Sequence, residues 1–396
     1  MKLIEETNLS ERLTQLLNEP LESINHREKT TFDSITKNVR DVLIFGAGNV
    51  GRKALTGLKS NGYNVLGFVD NNSKIHGTKI DQINIFSPKD AFEEFGDDVA
   101  IVIGIHCGEA TGLMSQRIAP LKALGFSKIA HFGLFAWKHP DGLLPYYALD
   151  LPSKVPLEKD KILKAFQLLD EESSRIIYVD HIEWRLTLNF DVLPRPVSDT
   201  IYFNENLLIN NENEVLVDGG AYTGDTIKSF VEGFGKKGFS KIISFEPDPK
   251  NFPKLQKFAE TVDKKLGEVH VHPFAIGDIE KDIFIELSGI ASRVGEKGFL
   301  VKCKTIDSFD YHGDYPTFIK LDLEGFEIPA LKGASQIIAE KTPTLAICSY
   351  HKQNDIWEIP LTINALNPNY KFRFAQHLSD GWDLVLYASD GKRFIY

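Results

Sequence analysis

Cysteine is scarce in this chain. Cys107, Cys303 and Cys348 are the three in 396 residues, and they stand far apart. A disulfide framework needs an even, clustered set and a thiolate metal site needs paired ligands, so neither organises this protein. Long apolar runs are missing too. No stretch is long enough to span a bilayer, and the polar, acidic segment from Met1 to Glu19 has no signal-peptide core, so no membrane insertion is expected and a cytoplasmic location is the default. Basic blocks are also lacking: acids outnumber Lys and Arg, and the formal net charge is −10. The pairs Lys236-Lys237 and Lys264-Lys265 read as solvated surface. A nucleic-acid backbone needs clustered Lys and Arg, so nucleic acid is not an expected partner. No internal repeat or low-complexity tract is visible.

What is present has the composition of a soluble globular protein and too much length for one ordinary core, which suggests two domains and a connector. Residues 1–38 read as a helical segment, with Leu9, Leu13, Leu16 and Leu17 at helical spacing. It is expected to pack on its own chain rather than on a partner. Residues 39–135 alternate strand and helix. Asp41-Val-Leu-Ile-Phe45 is a strand running into Gly46-x-Gly48-x-x-Gly51, and Asn64 to Asp70 is the next strand. Val99 to Gly104 is a later strand and Met114 to Leu124 a later helix. The alternation predicts a parallel sheet with helical crossovers, a Rossmann-like nucleotide-binding unit. Residues 136–197 carry six prolines with aromatics between them, and Leu157–Asp170 and Glu171–Asn189 read as helices. This is expected to be a helical connector. The last domain is expected at 198–396. The fold class is therefore α/β, with two Rossmann-like doubly wound sheets.

The densest signal lies at Val217-Asp-Gly-Gly-Ala-Tyr-Thr-Gly-Asp-Thr226. An apolar run ends in Asp218, turns through glycines and enters a helix. The shape is that of a nucleotide-cofactor site. Asp218 at the mouth of the turn and Asp225 at the helix start would repel a pyrophosphate, since phosphate-binding helix ends offer N–H groups and positive dipole. A cationic, phosphate-free cofactor suits such a turn, and S-adenosylmethionine has a sulfonium, an ammonium and two ribose hydroxyls. Lys241 to Asp248 is a second strand ending in acids, and Glu246 there can accept both ribose hydroxyls. Phe318 to Glu327 is a strand ending in clustered carboxylates, and Thr344 to His351 one ending in a histidine.

Residues from about 197 onward resemble the FkbM family of S-adenosylmethionine-dependent methyltransferases. The match is carried by VDGGAYTGDT (217–226), FEPDP (245–249), IKLDLEGFEIPALKGA (319–334) and SYHKQNDIWEIP (349–360). The resemblance implies a class I methyltransferase fold, a seven-stranded, mostly parallel sheet with a reversed final strand, and O-methylation of polyketides or sugars. It further implies site residues. Asp218, Gly219, Gly220, Ala221, Tyr222, Thr223, Gly224, Asp225 and Thr226 would surround the methionine end of the donor. Glu246 and Pro247 would face the ribose, and Ala275, Ile276 or Asp278 the adenine. Asp322 and Glu324 would face the methyl and the acceptor, and His351 would be the base that takes the hydroxyl proton. Glu327 reads equally as a helix-start carboxylate. Asp322, Glu324 and His351 could together hold a Mg²⁺ that chelates a sugar diol. His270 and His272 alternate with valines and read as structural rather than as a metal pair. The segment Gly289 to Val294, with Ser292 and Arg293, is expected to face the acceptor.

The N-terminal loop satisfies the dinucleotide fingerprint in spacing, with Gly46, Gly48, Gly51 and Asp70 as a second nucleotide site. The run from Phe45 to Asn72 also resembles the N-terminal domains of sugar-modifying acetyltransferases, which bind sugar nucleotides. No Tyr-x-x-x-Lys dyad accompanies it. Sugar-nucleotide docking, a purely structural domain and NAD(P) binding stay open. The expected function is O-methylation of a hydroxyl on a sugar or glycan precursor or related small molecule, with S-adenosylmethionine as cofactor. The rivals are an NAD(P)-dependent sugar-nucleotide oxidoreductase or epimerase, and a scaffold that binds nucleotide without turnover. The sequence is compatible with a homo-oligomer.

Overall fold

The computed structural model describes residues 6–105, 113–196, 200–288 and 291–396; Cys107 and part of the expected acceptor segment at 289–294, with the side chains of Ser292 and Arg293, lie outside the described residues. The chain divides into two compact units. One comprises Met1–Lys159, Val179–Arg195 and Leu378–Trp382, and the other Asp160–Tyr178, Pro196–His377 and Asp383–Tyr396. The proline-rich segment at 136–197 is thus shared between the two.

The first unit is built on six strands: β1 (Asp41–Phe45), β2 (Asn64–Val69), β3 (Lys79–Ile80), β4 (Ile83–Phe86), β5 (Ala100–Ile103) and β6 (Ile129–His131), in the order β3-β4-β2-β1-β5-β6. The pairs around β1, β2, β5 and β6 are all parallel. Val42 to Phe45 and Ala100 to Ile103 are buried throughout, as expected for strands covered on both faces. The predicted N-terminal helix is two helices, Glu6–Leu17 and Leu21–Thr36, because Pro20 has no N–H to continue the first ladder. Leu9, Leu13 and Leu17 are buried, and Arg12 pairs with Asp180 at 2.8 Å and Glu183 at 2.5 Å, all within this unit. The helix Asn49–Ser60 leaves the Gly-rich turn. Gly51 has to be glycine: a Cβ there would sit 1.9 Å from the Gly46 carbonyl oxygen.

The second unit holds a seven-stranded sheet and a four-stranded one. Its strands are β7 (Val215–Gly219), β8 (Lys241–Phe245), β9 (Glu268–His272), β10 (Ala275–Ile276), β11 (Lys281–Ser288), β12 (Ala291–Gly295), β13 (Phe299–Lys304), β14 (Phe318–Leu321), β15 (Thr344–Cys348), β16 (Lys371–Gln376) and β17 (Leu384–Ser389). The large sheet runs β16-β17-β15-β14-β7-β8-β9. β9, β8, β7, β14 and β15 are mutually parallel, and β17 is antiparallel to both its neighbours, so the reversed final strand is present. Two consequences place the site. The carboxyl ends of β7, β8, β14 and β15 share one edge, where ligands bind in such sheets. Because β17 runs backwards, its first residues reach that same edge, with Val385 opposite Cys348. The smaller sheet runs β10-β13-β11-β12.

Candidate active site

The turn after β7 is held by short-range necessity. The Gly220 and Ala221 N–H groups donate to the Phe245 carbonyl at 3.0 and 3.1 Å. Gly220 has φ 77°, and a Cβ on it would meet the Asp322 carbonyl oxygen at 1.9 Å. Gly224, at φ 101°, caps the helix Asp225–Glu232 and packs against the Phe258 ring. Only glycine accepts both the left-handed backbone and the contact.

Glu246, just past β8, reaches back over this turn. Its Oε2 accepts the Tyr222 N–H at 2.8 Å and its Oε1 the Asp248 N–H at 2.9 Å. Burial pushes its carboxyl up to about 7 against those two bonds. The first unit repeats the arrangement: Asp70, past β2, accepts the Ala47 N–H of the other Gly-rich turn at 2.9 Å.

Asp218 is fully buried and does not reach the cavity beside the turn. Its partner is Lys320, its register neighbour on β14, with Nζ 3.1 Å from Oδ1. The same ammonium donates to the Gly219 and Gly220 carbonyls at 3.2 and 2.8 Å. Against the cost of burial, Asp218 and Asp322 keep Lys320 charged, well above its ordinary value.

Asp322 and Glu324 follow β14. Asp322 accepts the Tyr202 hydroxyl at 2.9 Å, and its Oδ1 lies 3.3 Å from His351 Nε2. Despite burial, Lys320 and His351 hold the Asp322 carboxyl below its usual range. The other face of His351 meets Glu327, with Nδ1 2.8 Å from Oε1. That oxygen also accepts the Leu323 N–H at 2.7 Å, so Glu327 is a buried anchor rather than a surface carboxylate. Burial opposes charge on His351, yet Glu327, Asp322 and Glu324 raise it to about 10. At neutral pH it is an imidazolium, which bears on the expectation that it acts as a base.

Nor do these side chains fit the expected Mg²⁺. One ligand atom each from Asp322, Glu327 and His351 lie within 4.8 Å of one another, but a histidine must be neutral to ligate, and Mg²⁺ prefers an all-oxygen shell. His270 is exposed and pairs with Glu268 at 3.1 Å, while His272 stacks on Phe274.

These groups surround a cavity of about 380 Å³ at the sheet edge. Of the residues named from sequence, Gly220, Tyr222, Asp225, Thr226, Glu246, Pro247, Ala275, Ile276, Asp322 and Glu324 line it. Asp218, Gly219, Ala221, Thr223, Gly224 and His351 are not part of that lining, and Asp278 is exposed. Tyr202, Lys320 and Asp383 also line it and were not read from sequence. For Lys320 a signal existed: a lysine inside an apolar strand is seldom buried without a partner. The cavity residues Tyr202, Tyr222, Glu324 and Asp383 have φ of 68°, 47°, 53° and 49°, in the left-handed region that side chains disfavour.

Residues 218–374 match the methyltransferase FkbM domain, and residues 38–106 match the C2185-like, N-terminal domain. No curated protein matches the sequence. A methyltransferase FkbM from Methylobacillus flagellatus KT is 23% identical with a TM-score of 0.75, over 98% of this chain and 99% of that one. A protein from Streptococcus mutans, solved with S-adenosylhomocysteine, is 11% identical with a TM-score of 0.30, over 51% of this chain and 99% of that one. A UDP-D-quinovosamine 4-dehydrogenase from Vibrio fischeri is 21% identical with a TM-score of 0.18, over 23% of this chain and 75% of that one. The glycine turn, the acid beyond the second strand and the carboxylate-rich end of β14 all fall inside the matched domain: the chain carries a methyltransferase FkbM domain at residues 218–374 and is a methyltransferase.

Proposed function

We propose that this methyltransferase moves the methyl group of S-adenosylmethionine to a hydroxyl of a sugar or glycan precursor in the cytoplasm. The observation that carries the donor is Glu246. Its carboxylate borders the cavity and is fixed by two backbone N–H groups, so its remaining lone pairs are aimed for a ribose diol. Asp225 sits at the first turn of the helix that a pyrophosphate would need. Asp322, Glu324 and Asp383 line the cavity against Lys320. This surplus of acid suits a donor that carries a sulfonium and an ammonium.

Methyl transfer is an in-line displacement, in which the acceptor oxygen approaches the methyl carbon opposite the sulfur. Alignment and exclusion of water supply much of the rate. In this reading Tyr202 and His351 fix Asp322, and Asp322 and Glu324 orient the donor head and the acceptor hydroxyl. His351 keeps its proton and acts through Asp322 and Glu327. No step needs a metal ion.

The sugar class rests on the resemblance of residues 45–72 to sugar-nucleotide-binding domains, an argument by analogy. The Asp70 carboxylate on its own turn is compatible with a ribose there, of a sugar nucleotide or of NAD(P). Calorimetric titration with S-adenosylmethionine, S-adenosylhomocysteine, NADH and UDP-N-acetylglucosamine tests the whole reading. Micromolar binding of both adenosyl ligands, lost in Glu246→Ala, is expected. NADH binding without adenosyl binding would overturn it in favour of an oxidoreductase centred on Gly46 to Asp70.

A further inference from the structure

The methyl-transfer reading leaves the hydroxyl proton without a destination, because His351 is already protonated and wedged between Glu327 and Asp322. The acids on the cavity wall differ in fitness for that task. Asp322 is held anionic by Lys320 and His351, which makes it a weak base. Glu246 is fixed by two backbone N–H groups and committed to the ribose diol in the reading above. Asp383 is different. It immediately precedes β17, so the reversed strand delivers it to the edge where β14 and β15 end, and it lines the cavity with Asp322 and Tyr202.

We propose that Asp383 is the group that accepts the acceptor's hydroxyl proton, a catalytic residue supplied by the reversed strand. The inference rests on the methyltransferase reading above. As the acceptor oxygen forms its bond to the methyl carbon, the carbon–sulfur bond breaks and its electron pair stays on sulfur, leaving S-adenosylhomocysteine. The oxygen's proton passes to the Asp383 carboxylate and then to water.

Three observations bear on it. Asp383 holds a left-handed backbone at φ 49°, a conformation that persists where its surroundings enforce it. A side-chain hydrogen bond from Tyr350 orients the carboxyl. Burial and the negative Asp322 raise it to about 6, against Tyr350, His351 and Lys320, which puts a better base than an ordinary carboxylate beside the cavity. Facing it from the remaining elements are Tyr202, Cys348 and Tyr387. All three are raised by burial and stay neutral, and Glu324 is a further carboxylate on the same cavity wall.

The sign of the pH dependence follows. Below about 6 the carboxyl carries a proton and cannot accept one, so at saturating S-adenosylmethionine kcat/KM for the acceptor should rise with pH through about 6 and then level. The test uses the full chain and Asp383→Asn, a substitution that keeps shape and tolerates a left-handed backbone. S-adenosylhomocysteine binding is read by calorimetry. Turnover is read as S-adenosylhomocysteine released from S-adenosylmethionine, with UDP-N-acetylglucosamine as acceptor probe and with water alone. The Asp383 carboxyl is titrated by carbon-13 NMR in the S-adenosylhomocysteine complex, with the variant supplying the assignment.

The expected result is binding within about twofold of the parent, turnover lower by about 10²- to 10⁴-fold, and loss of the rising limb. Tyr350→Phe should keep the limb and move it to higher pH, an effect that a structural role would not produce. Turnover within about threefold of the parent, or an Asp383 midpoint near the ordinary carboxylate value of about 3.9, would overturn the proposal. If the parent protein fails to bind S-adenosylhomocysteine, the donor reading fails instead, and the binding measurement keeps the two failures apart.

Discussion

Removing the buried ammonium of Lys320 is the sharpest test of how this site is held. Lys320 is 1% exposed and Asp218 is fully buried, 3.1 Å away. In Lys320→Met the apolar stem survives while the charge and two hydrogen bonds to Gly219 and Gly220 disappear. A hydrogen bond from a charged group contributes about 1.5–3 kcal/mol, and breaking a buried ion pair costs about 3–5 kcal/mol because the partner is left charged and unpaired. These losses overlap, so the expected cost is about 3–5 kcal/mol in total. For a unit of this size that is a fall in Tm of roughly 6–20 °C, at about 2–4 °C per kcal/mol. Urea and thermal melts read it directly. With the ammonium gone, burial raises Asp218 far above its unfolded value. The deficit is then full where Asp218 must stay ionised and shrinks as pH falls toward the ordinary carboxylate range and the carboxyl takes a proton. Asp218→Asn with Lys320→Met removes both charges, and the pair should lose clearly less than the sum of the single changes. A single-variant loss below about 1 kcal/mol, or strict additivity in the cycle, would refute the idea that Lys320 is the counter-charge of the turn.

Other consequences are equally direct. Since Glu246 sits at about 7 and is proposed to take the ribose hydroxyls as the carboxylate, S-adenosylhomocysteine affinity should strengthen from pH 6 to 8; in Glu246→Gln that dependence should vanish and affinity drop by about 10- to 100-fold, as for lost charged hydrogen bonds. Gly220→Ala should abolish adenosyl binding in the same titration and lower Tm, because its Cβ would sit 1.9 Å from the Asp322 carbonyl oxygen. Gly51→Ala meets the Gly46 carbonyl oxygen equally closely, but in the other unit; it should lower Tm while leaving adenosyl affinity within about twofold, and loss of that affinity would contradict the assignment of the donor to the turn at 218–226.

Local signals carried much of this site. The glycines at 219, 220 and 224 and the acid at 246 announce themselves within a few residues of the strands that place them. The groups that escaped notice depend on distant pairings. Lys320 acquires meaning only when β14 lies in register beside β7 and sets it opposite Asp218. Asp383 enters only because β17 runs antiparallel, a fact of sheet order rather than of the residues around it. His351 was visible as a residue but not as a charge: its protonation is set by Glu327 and Asp322, which reach it from another strand end. The segment at 1–38 was legible as helical and amphipathic, yet Pro20 divides it, a breaker that should have outweighed the leucine spacing.

The left-handed residues on the cavity wall have a consequence for anyone who would make this protein sturdier. Tyr202, Tyr222, Glu324 and Asp383 each hold a backbone shape that costs an L-residue about 1–2 kcal/mol, and glycine would adopt it without that strain. At exposed Tyr222, after the entropy glycine itself loses, about 0.5–1 kcal/mol, the exchange would be neutral or mildly stabilising, whereas at buried Tyr202 the lost packing and the lost hydrogen bond to Asp322 outweigh the relief. Each exchange would also delete a hydroxyl, ring or carboxylate from the cavity wall. A selection for thermal stability alone should therefore drift toward glycine where the side chain is exposed, as at Tyr222, and on the reading proposed above would erode the site. Engineering for robustness has to leave that strain in place.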